Sequence, residues 1–191
     1  KHTAKDVVLL GNGDAILANI CIKCETTENI AGNSELNAEF ICDTDGLYKT
    51  IHDEAILKVQ MDYGNEIFRI AKVNKNRRDI VVFARQITIS ETLDMWLEDV
   101  RPTQTSGLGA LTALKNNSIG KKDIDVVSNI STISTAYYQR MCVYKALHDC
   151  EQSFYNRWGG EVLRRGYTLT INDRIGTDRG FSIREGKNLT G

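Results

Sequence analysis

The chain has 191 residues, 41% of them hydrophobic and 26% charged, which suits a globular chain with a real core in one large or two small domains. Its 24 Lys plus Arg against 25 Asp plus Glu leave a formal net charge of −1. That argues against a duplex-binding surface, which needs clustered cations to displace counterions, and the pairs Arg77-Arg78, Lys121-Lys122 and Arg164-Arg165 are too short and scattered to supply one. No apolar run approaches a membrane span, and no signal peptide is visible.

The first half reads as short strands and turns. Val7 to Leu10 is an apolar run broken by Gly11-Asn12-Gly13-Asp14. Ala15 to Lys23 is the next strand, with Ile16, Ala18, Ile20 and Ile22 on one side, and Thr26 to Ser34 is a polar loop. Leu36, Ala38, Phe40 and Cys42 alternate with other residues as in a half-buried strand. Asp43-Thr44-Asp45-Gly46 is a turn. Ala55 to Met61, Glu66 to Val73 and Ile80 to Ile87 follow as three strands joined by hairpin-length connections. Closely spaced strands of this kind predict an antiparallel sheet rolled into a barrel or sandwich.

The pattern changes near Thr88. Thr88-Ile89-Ser90-Glu91 fits a capping box. Leu93, Trp96, Leu97 and Val100 give a helical stripe that Pro102, the only proline, ends. A second helix is predicted from Ser106 to Lys115 with Leu108, Leu111 and Leu114 inward, then a loop over Asn116 to Lys122 and a strand over Ile124 to Ile130. One long helix follows from about Ala136 to Trp158, since Val143, Leu147, Cys150, Phe154 and Trp158 recur at steps of three and four. Gly159 and Gly160 stop it. Tyr167, Leu169 and Ile171, and then Phe181 and Ile183, alternate as two strands of a hairpin on which that helix packs. The fold class is thus α+β: a β-barrel over residues 1–87 and an α+β domain over residues 88–191.

Reactive chemistry finds little support. Cys21-Ile22-Lys23-Cys24 lacks the two further ligands zinc needs, since Cys42 and His52 stand at no standard spacing, and it ends a strand where a thioredoxin-like motif would open a helix. Two strand-end thiols are the preferred reading, and the odd count of five cysteines suits free thiols. Aligned as a calcium loop, Asp43 to Gly46 puts Ile41 and His52 where carboxylates belong. Gly11-Asn12-Gly13 and Gly107-Leu108-Gly109 do not complete a phosphate-binding fingerprint. His148 and Cys150, two apart on one helix, do not face each other as a dyad would. Trp158 could stack a sugar, but its step of four from Phe154 favours core packing. No catalytic residue, metal ligand or cofactor is assigned. Carboxylate pairs stay open, since sequence does not say whether two share a cleft.

Three pieces carry a resemblance: Arg157-Trp158-Gly159-Gly160-Glu161, Asp178-Arg179-Gly180 and Gly186-Lys187-Asn188-Leu189. Phe83-Ala84-Arg85-Gln86-Ile87 and Leu97-Glu98-Asp99-Val100-Arg101-Pro102 add to them. Together, from about Tyr63 onward, they resemble the N-terminal region of phage minor structural proteins, the prophage tail-endopeptidase family of tail hubs. Trp158, Gly159, Gly160, Gly180, Gly186, Lys187 and Asn188 are the structural positions of that motif. The resemblance implies a hub at the distal end of the tail, a baseplate component of the virion that joins tail tube to tail tip. It implies a homotrimer in the longer protein. Its partners would be distal tail, tube and tape-measure proteins, with no sequence-specific nucleic acid. The protein would reside in the bacterial cytoplasm before assembly and lysis. The alternative it implies is a cell-wall endopeptidase acting during DNA entry, with the lytic domain C-terminal to this region. A chain that starts at Lys1 and stops at Gly191 is read as a fragment.

Overall fold

Period-two alternation builds the first half of the molecule. The computed structural model describes residues 2–3, 7–10, 15–29 and 32–176. In β5 (Ser34–Ile41) Leu36, Ala38 and Phe40 are buried, and in β8 (Asp79–Gln86) Ile80, Val82, Ala84 and Gln86 are. β6 (Ile56–Met61) turns Leu57, Val59 and Met61 inward, and β7 (Gly64–Lys75) turns Glu66, Phe68 and Ile70 inward. With β1 (His2–Thr3), β2 (Val7–Leu10), β3 (Ala15–Ile16) and β4 (Cys21–Glu28), they form an antiparallel sheet ordered β1-β4-β5-β8-β7-β6-β2-β3. The sheet curls into a half-barrel around one apolar cluster.

Two sequence readings shift here. The single strand over Ala15 to Lys23 is broken by a 3-10 turn, Ala18–Ile20. β3 lies at one edge of the sheet and β4 near the other, so the chain must cross between them, and Leu17 and Ile20 are buried at the crossing. The polar loop is shorter than Thr26 to Ser34, because Thr26 is buried and pairs with Leu36. The connection from β5 to β6 packs Leu47 and Tyr48 against the half-barrel core. There the Asp43 carboxylate accepts from the backbone N–H of Leu47 at 3.0 Å and Tyr48 at 2.9 Å, bonds that hold it below the usual carboxylate range. These bonds fall on the first two residues of a 3-10 turn, Leu47–Thr50, whose N-cap is Gly46 at φ 81°.

Around Thr88 the capping box does not form. α1 (Ile87–Asp94) is capped two residues earlier, by Gln86: its side-chain oxygen accepts from Thr88 N at 2.7 Å and from Thr88 Oγ1 at 2.6 Å. Glu91 turns instead to Arg69. The predicted helical stripe through Trp96 to Val100 is a strand, β9 (Trp96–Val100), paired with β11 (Tyr138–Cys142). Its ladder is interrupted at Glu98 and Arg140, where Arg140 takes φ 50°, and the distortion places Leu97 and Val100, three apart, both inward. That spacing imitates a helix. α2 (Gly107–Asn116) lies where expected, capped by Ser106, with Leu111 and Leu114 buried but Leu108 43% exposed. The strand predicted over Ile124 to Ile130 is reduced to β10 (Asp125–Val127).

The long helix is also absent. Its span holds β11, α3 (Val143–His148) and α4 (Phe154–Trp158). α3 ends at Asp149, with φ −130° and ψ 49°, and Ser153 starts α4 afresh by accepting from Asn156 N at 3.3 Å. Both short helices press apolar residues into one second cluster with Met95, Leu111 and Ile171, so the steps of three and four continue across the break. Beyond it, β12 (Glu161–Arg165) and β13 (Thr168–Asn172) form a hairpin turned at Gly166, and β10 joins β13 in parallel. The observed hairpin therefore uses residues 161–172. Phe181 and Ile183 lie outside the described residues.

Candidate functional site: the polar seam between half-barrel and hairpin

The β12–β13 hairpin brings its turn against the half-barrel, and buried polar groups gather where they meet. Arg164, on β12, is 1% exposed. Its Nε donates to Gly32 O at 2.8 Å, one terminal nitrogen to Thr88 Oγ1 at 2.8 Å, and the other to His148 Nε2 at 3.0 Å. These acceptors are neutral, and burial pulls the guanidinium down to about 10. An arginine only donates, so His148 Nε2 accepts and its neutral ring carries the proton on Nδ1. Burial first, then the neighbouring Arg164 charge, lowers His148 to about 4. The imidazole lies between Tyr144 and Tyr155, with ring centroids 4.7 and 4.9 Å away. Tyr144 Oη donates to Asn33 Oδ1 at 2.8 Å, which ties the stack to the loop carrying Gly32.

A second knot lies beside it. Glu66, fully buried on β7, accepts through Oε1 from Gly166 N at 2.8 Å, Gln86 Nε2 at 3.1 Å and Ile67 N at 3.1 Å. Gln86 Nε2 also donates to Gly166 O at 2.6 Å. Burial raises the Glu66 carboxyl despite these bonds. Next to it Arg165 pairs with Glu28 at 2.8 Å and lies 4.0 Å over the Tyr63 ring. Gly32 completes the fit: its φ is 81°, and a Cβ there would stand 2.6 Å from Val162 Cγ1. The seam thus consists of mutually locking bonds that join the two elements, with Glu66 Oε2 and the Tyr155 hydroxyl left as buried polar atoms without a hydrogen-bond partner among the described residues.

A further charged group flanks a cleft of about 140 Å³ lined by Glu54, Arg69, Arg85, Ser90 and Asp94 among others. Arg69 bridges Glu91, Asp94 at 3.0 Å and Glu54 at 3.6 Å, and Lys122 reaches Glu91 at 3.6 Å. The carboxylates here are matched to cations.

The residues singled out from sequence fall elsewhere. Trp158 is 5% exposed, stacks on Phe154 with centroids 5.2 Å apart, and donates Nε1–H to Thr105 O at 2.9 Å. It offers no free face to a sugar. Gly159 and Gly160 follow with φ 76° and 103°. Gly180, Gly186, Lys187 and Asn188 lie outside the described residues. His148 faces Arg164, and the Cys150 thiol is pushed up by burial, opposite to what an activated nucleophile requires. Sequence reasoning missed Glu66, Gln86, Arg164 and Gly32. A signal existed for the first two: the alternation that buries Phe68 and Ile70, or Val82 and Ala84, extends to them. Arg164 and Gly32 had none.

A solved structure shares this fold. The crystal structure of prophage tail protein gp18 from Listeria monocytogenes EGD-e matches 97% of this chain with a TM-score of 0.64 and 12% sequence identity. The match takes in 56% of the gp18 chain, so the present chain spans little more than half its length. At that identity the likeness is one of fold. No family model and no curated protein matches the sequence. The shared region includes both the half-barrel and the hairpin-bearing half. Among the described residues, no helix is long and apolar enough to cross a membrane.

Proposed function

We propose that this chain is a structural component of a phage or prophage tail, placed at the distal hub where tail tube meets tail tip. The observation that carries the reading is the fold match to a tail protein over 97% of the chain, through both halves at once. The interlocked seam supports it. Buried groups that in an enzyme would face a cleft are here engaged in holding the hairpin to the half-barrel, as load transfer through a rigid subunit requires. The near-neutral charge, −1, is compatible with a passage for DNA that must not retain it. In this reading residues 1–87 and 88–191 act as two domains locked by the seam, each with its own apolar cluster, and three copies form a ring.

Light scattering on the complete reading frame tests the ring. Three copies per particle are expected, and a strict monomer at high concentration would count against it. Zymography on cell walls separates the rival endopeptidase: no clearing is expected from residues 1–191, and clearing abolished by Cys150→Ala would overturn the structural reading in favour of an enzyme.

A further inference from the structure

β4 carries two thiols that a regular strand would send to opposite faces. Cys21 and Cys24 are three residues apart, and side chains alternate along a strand. A bulge changes this. Cys21 pairs with Phe40 but Lys23 pairs with Glu39, so Ile22 is an extra residue and Cys24 falls opposite Ala38. Phe40 and Ala38 are both buried in the half-barrel core, and their partners face the same way. Cys24 is 5% exposed within that core, Cys21 packs against it, and Ile22 is 54% exposed on the outer side. Residues two positions apart on a strand, such as Ala38 and Phe40, lie about 6.8 Å apart along it, at a rise of about 3.4 Å per residue. Phe40 and Ala38 impose that spacing on Cys21 and Cys24. It falls at the upper end of the Cα separations, about 4.4–6.8 Å, that a disulfide spans. Both thiols are free. Among the described residues no third metal-ligating group joins them.

We propose that Cys21 and Cys24 form a reversible dithiol–disulfide site that exchanges with low-molecular-weight disulfides. Cys21 is the attacking group, because it is the more exposed and is held below the ordinary thiol range by the neighbouring Cys24 thiol, while Cys24 is pushed up. The Cys21 thiolate attacks one sulfur of a small disulfide, its S–S bond breaks, and one thiolate leaves and is protonated. Cys24 then attacks the Cys21 sulfur of the mixed disulfide, whose S–S bond breaks, and the Cys24 proton ends on the departing sulfur, which leaves as the second small thiol. Two protein thiols are oxidised and one small disulfide is reduced to two thiols. The product staples the bulge, on a strand whose neighbour at the sheet edge is the two-residue β1. This inference is independent of the tail reading.

The test uses the full chain treated with oxidised glutathione, then alkylated in denaturant and weighed. The expected product is a monomer lacking the mass of two hydrogen atoms, with three of its five cysteines alkylated. Trypsin cuts after Lys23, between the two thiols, so the Cys21 and Cys24 peptides should stay joined until reduced. In a variant with Cys42, Cys142 and Cys150 all changed to Ser the same linkage should form, and Cys21→Ser should leave Cys24 unmodified. Five alkylated cysteines, a persistent glutathione adduct on Cys21, or a Cys21–Cys42 link would each overturn the proposal.

Discussion

His148 gives the seam a pH dependence that can be worked out in advance. Its pKa is lowered from 6.5 to about 4 in the folded protein, mainly by burial and then by Arg164. A base whose folded pKa is depressed binds fewer protons folded than unfolded. The folded state is therefore unaffected above about pH 6.5 and loses stability as pH falls from 6.5 toward 4. At about 1.36 kcal/mol per unit, the full shift amounts to roughly 3 kcal/mol. The ring is only partly buried, so solvent screening reduces the expected loss to about 2 kcal/mol. The assay is urea unfolding of the parent chain and of His148→Gln between pH 7 and pH 4. Glutamine can accept from Arg164 through its amide oxygen but does not titrate. Taking the difference between the two proteins removes other titrations: Glu66, whose raised pKa adds stability as pH falls, and Asp43, Asp99 and Glu161, whose lowered pKa values remove it. The variant should gain about 2 kcal/mol on the parent between pH 7 and pH 4. Parallel curves would show that His148 is not buried beside Arg164, and the seam geometry would be wrong.

Other substitutions test neighbouring parts of the structure. Gln86→Ala removes the donor shared by Glu66 and Gly166 and the cap of α1, and should cost about 2–4 kcal/mol in urea unfolding. Glu66→Gln should be near neutral or stabilising at pH 7, because burial disfavours the ionised carboxylate; a loss as large as that of Gln86→Ala would refute this. Gly160→Ala should destabilise by more than Gly159→Ala. A Cβ at Gly160 would lie 2.7 Å from Ile130 Cδ1 and 2.9 Å from Asn172 O, whereas at Gly159 only the backbone conformation is strained, worth about 1–3 kcal/mol. Equal melting temperatures for the two variants would contradict the close packing of Gly160.

The half-barrel was largely legible because burial on one face of a sheet writes itself into alternate residues. Leu36-Ala38-Phe40 and Leu57-Val59-Met61 are unambiguous, and the hairpin turn at Asp62-Tyr63 follows from Gly64. The second half was read less well, for a physical reason. A strand distorted where its ladder is interrupted can place two residues three apart inward, as a helix does, and Leu97 with Val100 produced that spacing. Two short helices packed on one core likewise kept a continuous helical rhythm from Val143 to Trp158, although Ser153 is a capping residue in plain view. The seam depends on contacts between residues more than a hundred positions apart, such as Arg164 with Gly32 and Tyr144 with Asn33. Local pattern carries no trace of such pairs. Glu66 and Gln86 were visible as polar residues at inward positions, and a buried polar residue in an alternating strand is a sign of a specific partner.

The central claim is that this chain is built into a tail. Immunogold electron microscopy of phage particles produced by cells that carry this gene, with antibody raised against residues 1–191, addresses it directly. The account predicts label at one end of the tail, opposite the head. Particles with complete tails that carry no label, with the antigen left in the soluble fraction, would contradict it.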